Sequence, residues 1–149
     1  MRVLIADDQK NVGAALAQLV SECNHEVVEV VRSGLEAIQA YNRHKPDVVL
    51  MDYWMAKLNG GTACRNILAK DPWARVVLVS GWSHLQDVDT SGAVGLLPKP
   101  VDIDQLDRAL HQAFAHHNVR HIPNVEHLGV IGVIEEAEQP EREFFAVAS

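Results

Sequence analysis

The chain has 149 residues, 48% hydrophobic and 22% charged, with 20 acidic against 13 basic side chains and a net charge of −7. That length suits one domain with its own core, the composition excludes wholesale disorder, and the acidic balance excludes a general nucleic-acid binder, whose footprint is a basic face. No apolar run approaches the roughly 20 residues that a membrane helix needs, and Asp7 and Asp8 come too early for a secretory leader.

Taken in chain order, the sequence alternates β-branched runs with helical patterns. Val3 to Ala6 reads as a first strand, halted by Asp7 and Asp8; Val12, Leu16, Leu19 and Cys23 then recur at the spacing of one helix face. Val27 to Val31 is a second strand, and Ser33-Gly34 leads to a second helix marked by Leu35, Ile38 and Tyr41. Pro46 opens a third strand, Asp47 to Asp52, and Asn59-Gly60-Gly61 reads as turn material before a third helix with Cys64, Ile67 and Leu68, ending near Asp71-Pro72. Arg75 to Ser80 is a fourth strand, a weak helical stretch holds Leu85 and Val88, and Gly92 to Leu97 gives a short fifth strand. Asp102 caps a last helix with Ile103, Leu106, Leu110 and Phe114 on one face.

Unbroken apolar strands such as Val48 to Met51 imply burial on both faces, as in a parallel sheet, and right-handed crossovers then place helices on both faces. The pattern predicts a doubly wound α/β domain over residues 1–117. Residues 118–149 differ: six acids against two arginines give them −4 of the chain's −7. They are too few for a second core and read as an acidic C-terminal extension with an apolar patch, Val130 to Ile134, and no separate output domain. The two cysteines, Cys23 and Cys64, make no disulfide framework and read as buried small hydrophobes in a reducing cytoplasm. Among His111, His116, His117, His121 and His127, a helical His117 and His121 have chelating spacing, although exposed helix-end histidines are the simpler reading.

Open α/β sheets place ligands at the carboxyl ends of their strands. Here the first strand ends in Asp7 and Asp8, the third in Asp52 and the fourth in Ser80, while the fifth leads to Lys99. Taken singly, Asp7-Asp8 also reads as a helix-capping pair and Lys99 as a solvated charge; the topology brings them together. Three crowded carboxylates raise one another's pKa unless a cation joins them. A hard divalent ion that takes oxygen ligands, Mg²⁺, suits such a site, and no His/Cys spacing for zinc stands at this end. A carboxylate there can act as a nucleophile toward a phosphoryl group, with a lysine and a hydroxyl holding the phosphoryl oxygens.

The ordered set Val3 to Asp8, Ser33 to Ala37, Asp47 to Asp52, Asn59-Gly60, Val79 to Gly81, Ser91 to Ala93 and Lys99-Pro100 resembles the receiver domain of bacterial two-component response regulators, chemotaxis receivers included. The resemblance covers residues 1–117 and implies a flavodoxin-like five-stranded sheet of order 2-1-3-4-5. It implies that Asp52 is the phosphoacceptor, taking its group from a sensor histidine kinase or phosphotransfer protein. Asp8, Asp52 and the backbone carbonyl of Trp54 would bind Mg²⁺, with Asp7 acting largely through water. Lys99 would pair with Asp52 and then with the phosphoryl oxygens, Ser80 would donate its hydroxyl, and the Lys99–Pro100 bond would be cis. Such a protein is a cytoplasmic signalling module with only slow self-dephosphorylation, not an enzyme. Its output would be contact with a downstream protein or a second copy of itself, with neither nucleic acid nor membrane as a direct partner.

Four positions depart from the family pattern. Ala56 stands where proline is usual, loosening the loop beyond Asp52. Leu96 stands where an aromatic ring usually turns inward. Ser80 and Lys99 are 19 residues apart, fewer than usual, so the fourth predicted helix is expected to be short or partly unwound. Trp54 and Trp82 are expected to flank the phosphoryl site and shield it from water. These departures keep open a phosphorylation-independent receiver-like interaction module, or a receiver fragment of a longer regulator. A haloacid-dehalogenase-like phosphatase is disfavoured, because Trp54 occupies the place of its general acid.

Overall fold

Apolar runs of four to six residues become the sheet, and the polar residues that end them line one edge of it. The computed structural model describes residues 1–81, 88–90 and 92–115. Its elements are β1 (Arg2–Ala6), α1 (Lys10–Glu22), β2 (Glu26–Val31), α2 (Gly34–His44), β3 (Val48–Asp52), α3 (Gly60–Lys70), β4 (Val76–Gly81), β5 (Gly95–Lys99) and α4 (Ile103–Ala115). The strands form one sheet in the order β2-β1-β3-β4-β5, every pairing parallel. This is the doubly wound, flavodoxin-like arrangement expected of the sequence.

Two apolar layers sandwich the sheet. On one face Leu4, Met51 and Leu78 pack with Ala37, Ala40 and Tyr41 of α2 and Cys64 and Ile67 of α3. On the other, Ile5, Leu50, Val77 and Val79 meet Leu16 and Val20 of α1 and Leu106 and Leu110 of α4. The apolar residues of β1, β3 and β4 are therefore fully buried, which accounts for their unbroken hydrophobic runs.

Helix starts follow the side-chain chemistry of their caps. Ser33 Oγ accepts from the Glu36 amide, and the Glu36 carboxylate accepts from the Arg32 amide. Asp102 accepts from the amides of Asp104 and Gln105, as its position predicts. Asn59 caps α3 by accepting from the Thr62 amide.

Several boundaries shift. Gly60 and Gly61 belong to α3 rather than to a turn, because the helix begins hard against the end of β3. The fifth strand starts at Gly95, not Gly92; Gly92 has φ 87, a turn conformation that breaks the extended run. The buried stripe of α1 is Gly13, Leu16 and Val20, one position round from the expected face. Leu35, Ile103 and Phe114 lie at the rims of their helices and are exposed, and Phe114 lies under the Arg75 guanidinium, 5.0 Å from the ring centre. Residues 88–90 have no regular structure, although Val88 packs on the first layer. The remainder of the weak helical stretch, Trp82, and the expected features of the extension, His116 to His127 and Val130 to Ile134, lie outside the described residues.

Candidate functional site

Parallel pairing in register delivers the polar residues to one place. Ala6 pairs with Met51, Asp52 with Val79 and Gly81 with Lys99, so Asp7, Asp52, Ser80 and Lys99 all emerge at the carboxyl edge of the sheet. Asp7 and Ser80 are fully buried, Asp52 is 5% exposed, and Asp8 is half-buried.

One carboxylate oxygen from each of Asp7, Asp8 and Asp52 lies within 4.8 Å of the other two. Lys99 Nζ donates to Asp7 Oδ2 at 3.0 Å and to Asp52 Oδ1 at 3.1 Å. Asp7 Oδ1 accepts from the Gln9 amide, which holds the turn into α1, and Asp8 Oδ2 reaches the Ala56 amide at 3.4 Å. Ala56, where proline would offer no N–H, thus contributes a donor to the acidic loop. The Lys99–Pro100 peptide is cis.

The electrostatics follow from this crowding. Burial pushes the Asp52 carboxyl up to about 6 and the Asp7 charge adds to the rise, against the pull of Lys99. Burial also opposes the Lys99 charge, but its hydrogen bonds and the charges of Asp7 and Asp52 prevail and raise its pKa. Three acidic side chains against one ammonium leave a deficit of positive charge, and all their donor atoms are oxygens. A hard divalent cation fits that donor set. Ser80 Oγ is buried without a hydrogen-bond partner among the described residues. An unpartnered hydroxyl beside a buried carboxylate is a donor without an acceptor, and an incoming oxyanion would supply one.

Trp54 is 47% exposed, and its ring meets Tyr53 edge-on at 4.9 Å. It stands at the rim beyond β3, more open than the expected shield. Leu96 is partly buried against the first core layer, where it serves as packing. Sequence reasoning took Gly60 as turn material and as part of the family match, not as the residue whose missing side chain lets α3 start directly on the Asp52 carbonyl. The signal was an Asn-Gly-Gly run, which reads as a turn in the absence of contacts.

Fold and site together define a doubly wound α/β module with an oxygen-rich cluster at the carboxyl edge of its sheet. The family model for the response regulator receiver domain matches residues 3–111. The chemotaxis protein CheY of Listeria monocytogenes is 33% identical over 116 residues, which are 76% of this chain and 98% of that protein. The transcriptional regulatory protein PdtaR of Mycobacterium tuberculosis is 34% identical over 115 residues, 75% of this chain and 56% of that protein. Among solved structures, a CheX-CheY-BeF3-Mg+2 complex from Borrelia burgdorferi aligns with a TM-score of 0.71 and 28% identity, covering 76% of this chain and 89% of that one. The chain belongs to the response regulator receiver domain family. It is a CheY-like receiver domain, and receiver domains are generally signalling proteins. Among the described residues, no helix is long and apolar enough to cross a membrane.

Proposed function

We propose that this receiver is controlled by phosphorylation of Asp52, with Mg²⁺ held by Asp8, Asp52 and the Trp54 carbonyl and by Asp7 largely through water. The observation that carries the reading is the buried Asp52 carboxylate, bonded to Lys99 at 3.1 Å within a three-carboxylate cluster. A carboxylate oxygen of Asp52 attacks the phosphorus of a phosphohistidine; an O–P bond forms, the N–P bond breaks, and its electron pair returns to the donor's ring nitrogen. Lys99 moves from the carboxylate to the new phosphoryl oxygens, and the Ser80 hydroxyl donates to one of them. When bound, Mg²⁺ supplies positive charge against the phosphoryl oxygens.

The donor is a sensor histidine kinase or a phosphotransfer protein in the cytoplasm. The phosphoryl group adds about −1.5 to −2 charge, and the response passes outward through protein contact, with a downstream partner or a second copy. Residues 1–117 form the signalling unit and residues 118–149 an acidic extension. Self-dephosphorylation is slow; a phosphoryl half-life of seconds would overturn that part.

The test uses tryptophan fluorescence with Trp54 at the rim. Mg²⁺ and then beryllofluoride each give a saturable change in the wild type, and Asp52→Asn abolishes the beryllofluoride change. A Mg²⁺ response without a beryllofluoride response would overturn phosphoacceptance while leaving the metal site. Absence of both, confirmed by direct binding measurements, would favour the phosphorylation-independent module that Leu96, packed as core, also suits.

A further inference from the structure

At the pole opposite the carboxylate site, the turn between α1 and β2 meets α4. Cys23 and His25 come from the turn, and Asp107 and His111 stand one helical turn apart on α4. The His25 side chain is 9% exposed, and its Nε2 is buried with no hydrogen-bond partner among the described residues. The Met1 amino group takes Nδ1 at 3.3 Å, which leaves Nε2 facing Asp107, 3.5 Å from Oδ1. His111 Nδ1 lies 3.3 Å from the same oxygen, and the two imidazoles meet edge-on at 5.5 Å. One donor atom from each of His25, Asp107 and His111 lies within 4.8 Å of the other two.

These separations are long for hydrogen bonds, which run about 2.7–3.2 Å for N–H···O. They suit ligands that share an ion. With bonds of about 2.0–2.2 Å, adjacent ligands of a tetrahedral zinc stand roughly 3.3–3.5 Å apart. Two imidazoles and one carboxylate disfavour Mg²⁺ and Ca²⁺, which prefer all-oxygen shells, and favour a borderline transition ion.

We propose that His25, Asp107 and His111 form a second metal site, for a divalent ion of the Zn²⁺ class, which clamps α4 to the turn between α1 and β2. His111 Nδ1 also lies 2.8 Å from the Asp107 carbonyl of its own helix; ligation exchanges that contact for the ion, and a ring 44% exposed can turn to do so. The unfolded chain brings these residues together poorly, so the ion stabilises the folded state.

The test titrates the metal-stripped 149-residue chain with Zn²⁺ in excess Mg²⁺, which holds the oxygen-rich site. One tight equivalent binds, and the melting temperature rises by about 5 °C or more. His111→Gln, at the most exposed ligand, removes the tight equivalent and the shift while leaving the metal-free melting temperature within about 2 °C of the wild type. The double variant His117→Gln/His121→Gln retains both. Absence of a tight equivalent in the wild type overturns the proposal. So does its survival in His111→Gln, or its loss from the His117/His121 variant or from Asp52→Asn.

Discussion

Asp52 carries its charge at a cost that Lys99 only partly offsets. Its carboxyl titrates near 6 in the fold, because burial and the Asp7 charge oppose ionisation, and near 4 when unfolded. Between those values the folded chain holds more protons than the unfolded one, so stability falls as pH rises from about 4 to 6 and stays lower above. Two pK units set a ceiling of about 3 kcal/mol. Asp52→Asn removes the charge but weakens the bond to Lys99. In chelator at pH 7.5 it should be more stable than the wild type by about 1–2 kcal/mol in urea unfolding, with the difference closing toward pH 4. Equal stability at pH 7.5 would mean that Lys99 compensates fully. Cys64 is a simpler case. Burial pushes its thiol up to about 12, which leaves a thiolate fraction of roughly one in ten thousand at pH 8. Ellman's reagent should therefore label Cys64 only as fast as the fold opens; labelling at the rate of a free thiol would contradict the packing. Asp7, Asp8, Asp52, Ser80 and Lys99 were legible in the sequence because each interrupts or follows an apolar run at a strand end. The His25, Asp107 and His111 cluster was not, since His25 lies 82 and 86 positions before the other two and only the fold of α4 against the α1–β2 turn joins them.

The elements show where local pattern suffices and where it does not. Strands and caps are written in short stretches: Asp102, Ser33 and the valine runs need only their neighbours to be read. The start of α3 is different, because its glycines answer to a tertiary contact. A Cβ on Gly60 would stand 2.3 Å from the Asp52 carbonyl and 2.9 Å from the Tyr53 Cα, both backbone atoms that cannot swing away. Gly60→Ala gains up to about 1 kcal/mol of helix propensity but forces α3 off the end of β3. A net loss of about 2 kcal/mol is expected in denaturant unfolding, with weaker Mg²⁺ binding because the Asp52 backbone must shift. Gly81 is the matched control: among the described residues nothing lies within 4 Å of its added Cβ, so Gly81→Ala should stay within about 0.5 kcal/mol of the wild type. Similar losses from both would place the Gly60 effect in the chain's flexibility rather than in the contact.

At the scale of the molecule, periodicity established a parallel sheet with helices on both faces, but not the order of its strands. Any arrangement that buries β1, β3 and β4 satisfies the same hydrophobic pattern; the order β2-β1-β3-β4-β5 was expected only through the family resemblance. That order creates two chemically distinct poles. The carboxyl edge gathers oxygen donors and a lysine, and the amino edge gathers imidazoles with one carboxylate. Between them run strands of five or six residues, a span of about 16–20 Å. Their cores are shared, yet no residue of one cluster touches the other among the described contacts. Substitutions at sites so far apart, without common partners, should act independently. Combining Asp52→Asn with His111→Gln should therefore change the unfolding free energy of the metal-free protein by the sum of the single effects, within about 0.5 kcal/mol. A larger interaction would mean that the sheet transmits strain from one pole to the other, and that an ion at the imidazole pole could bias the carboxylate pole.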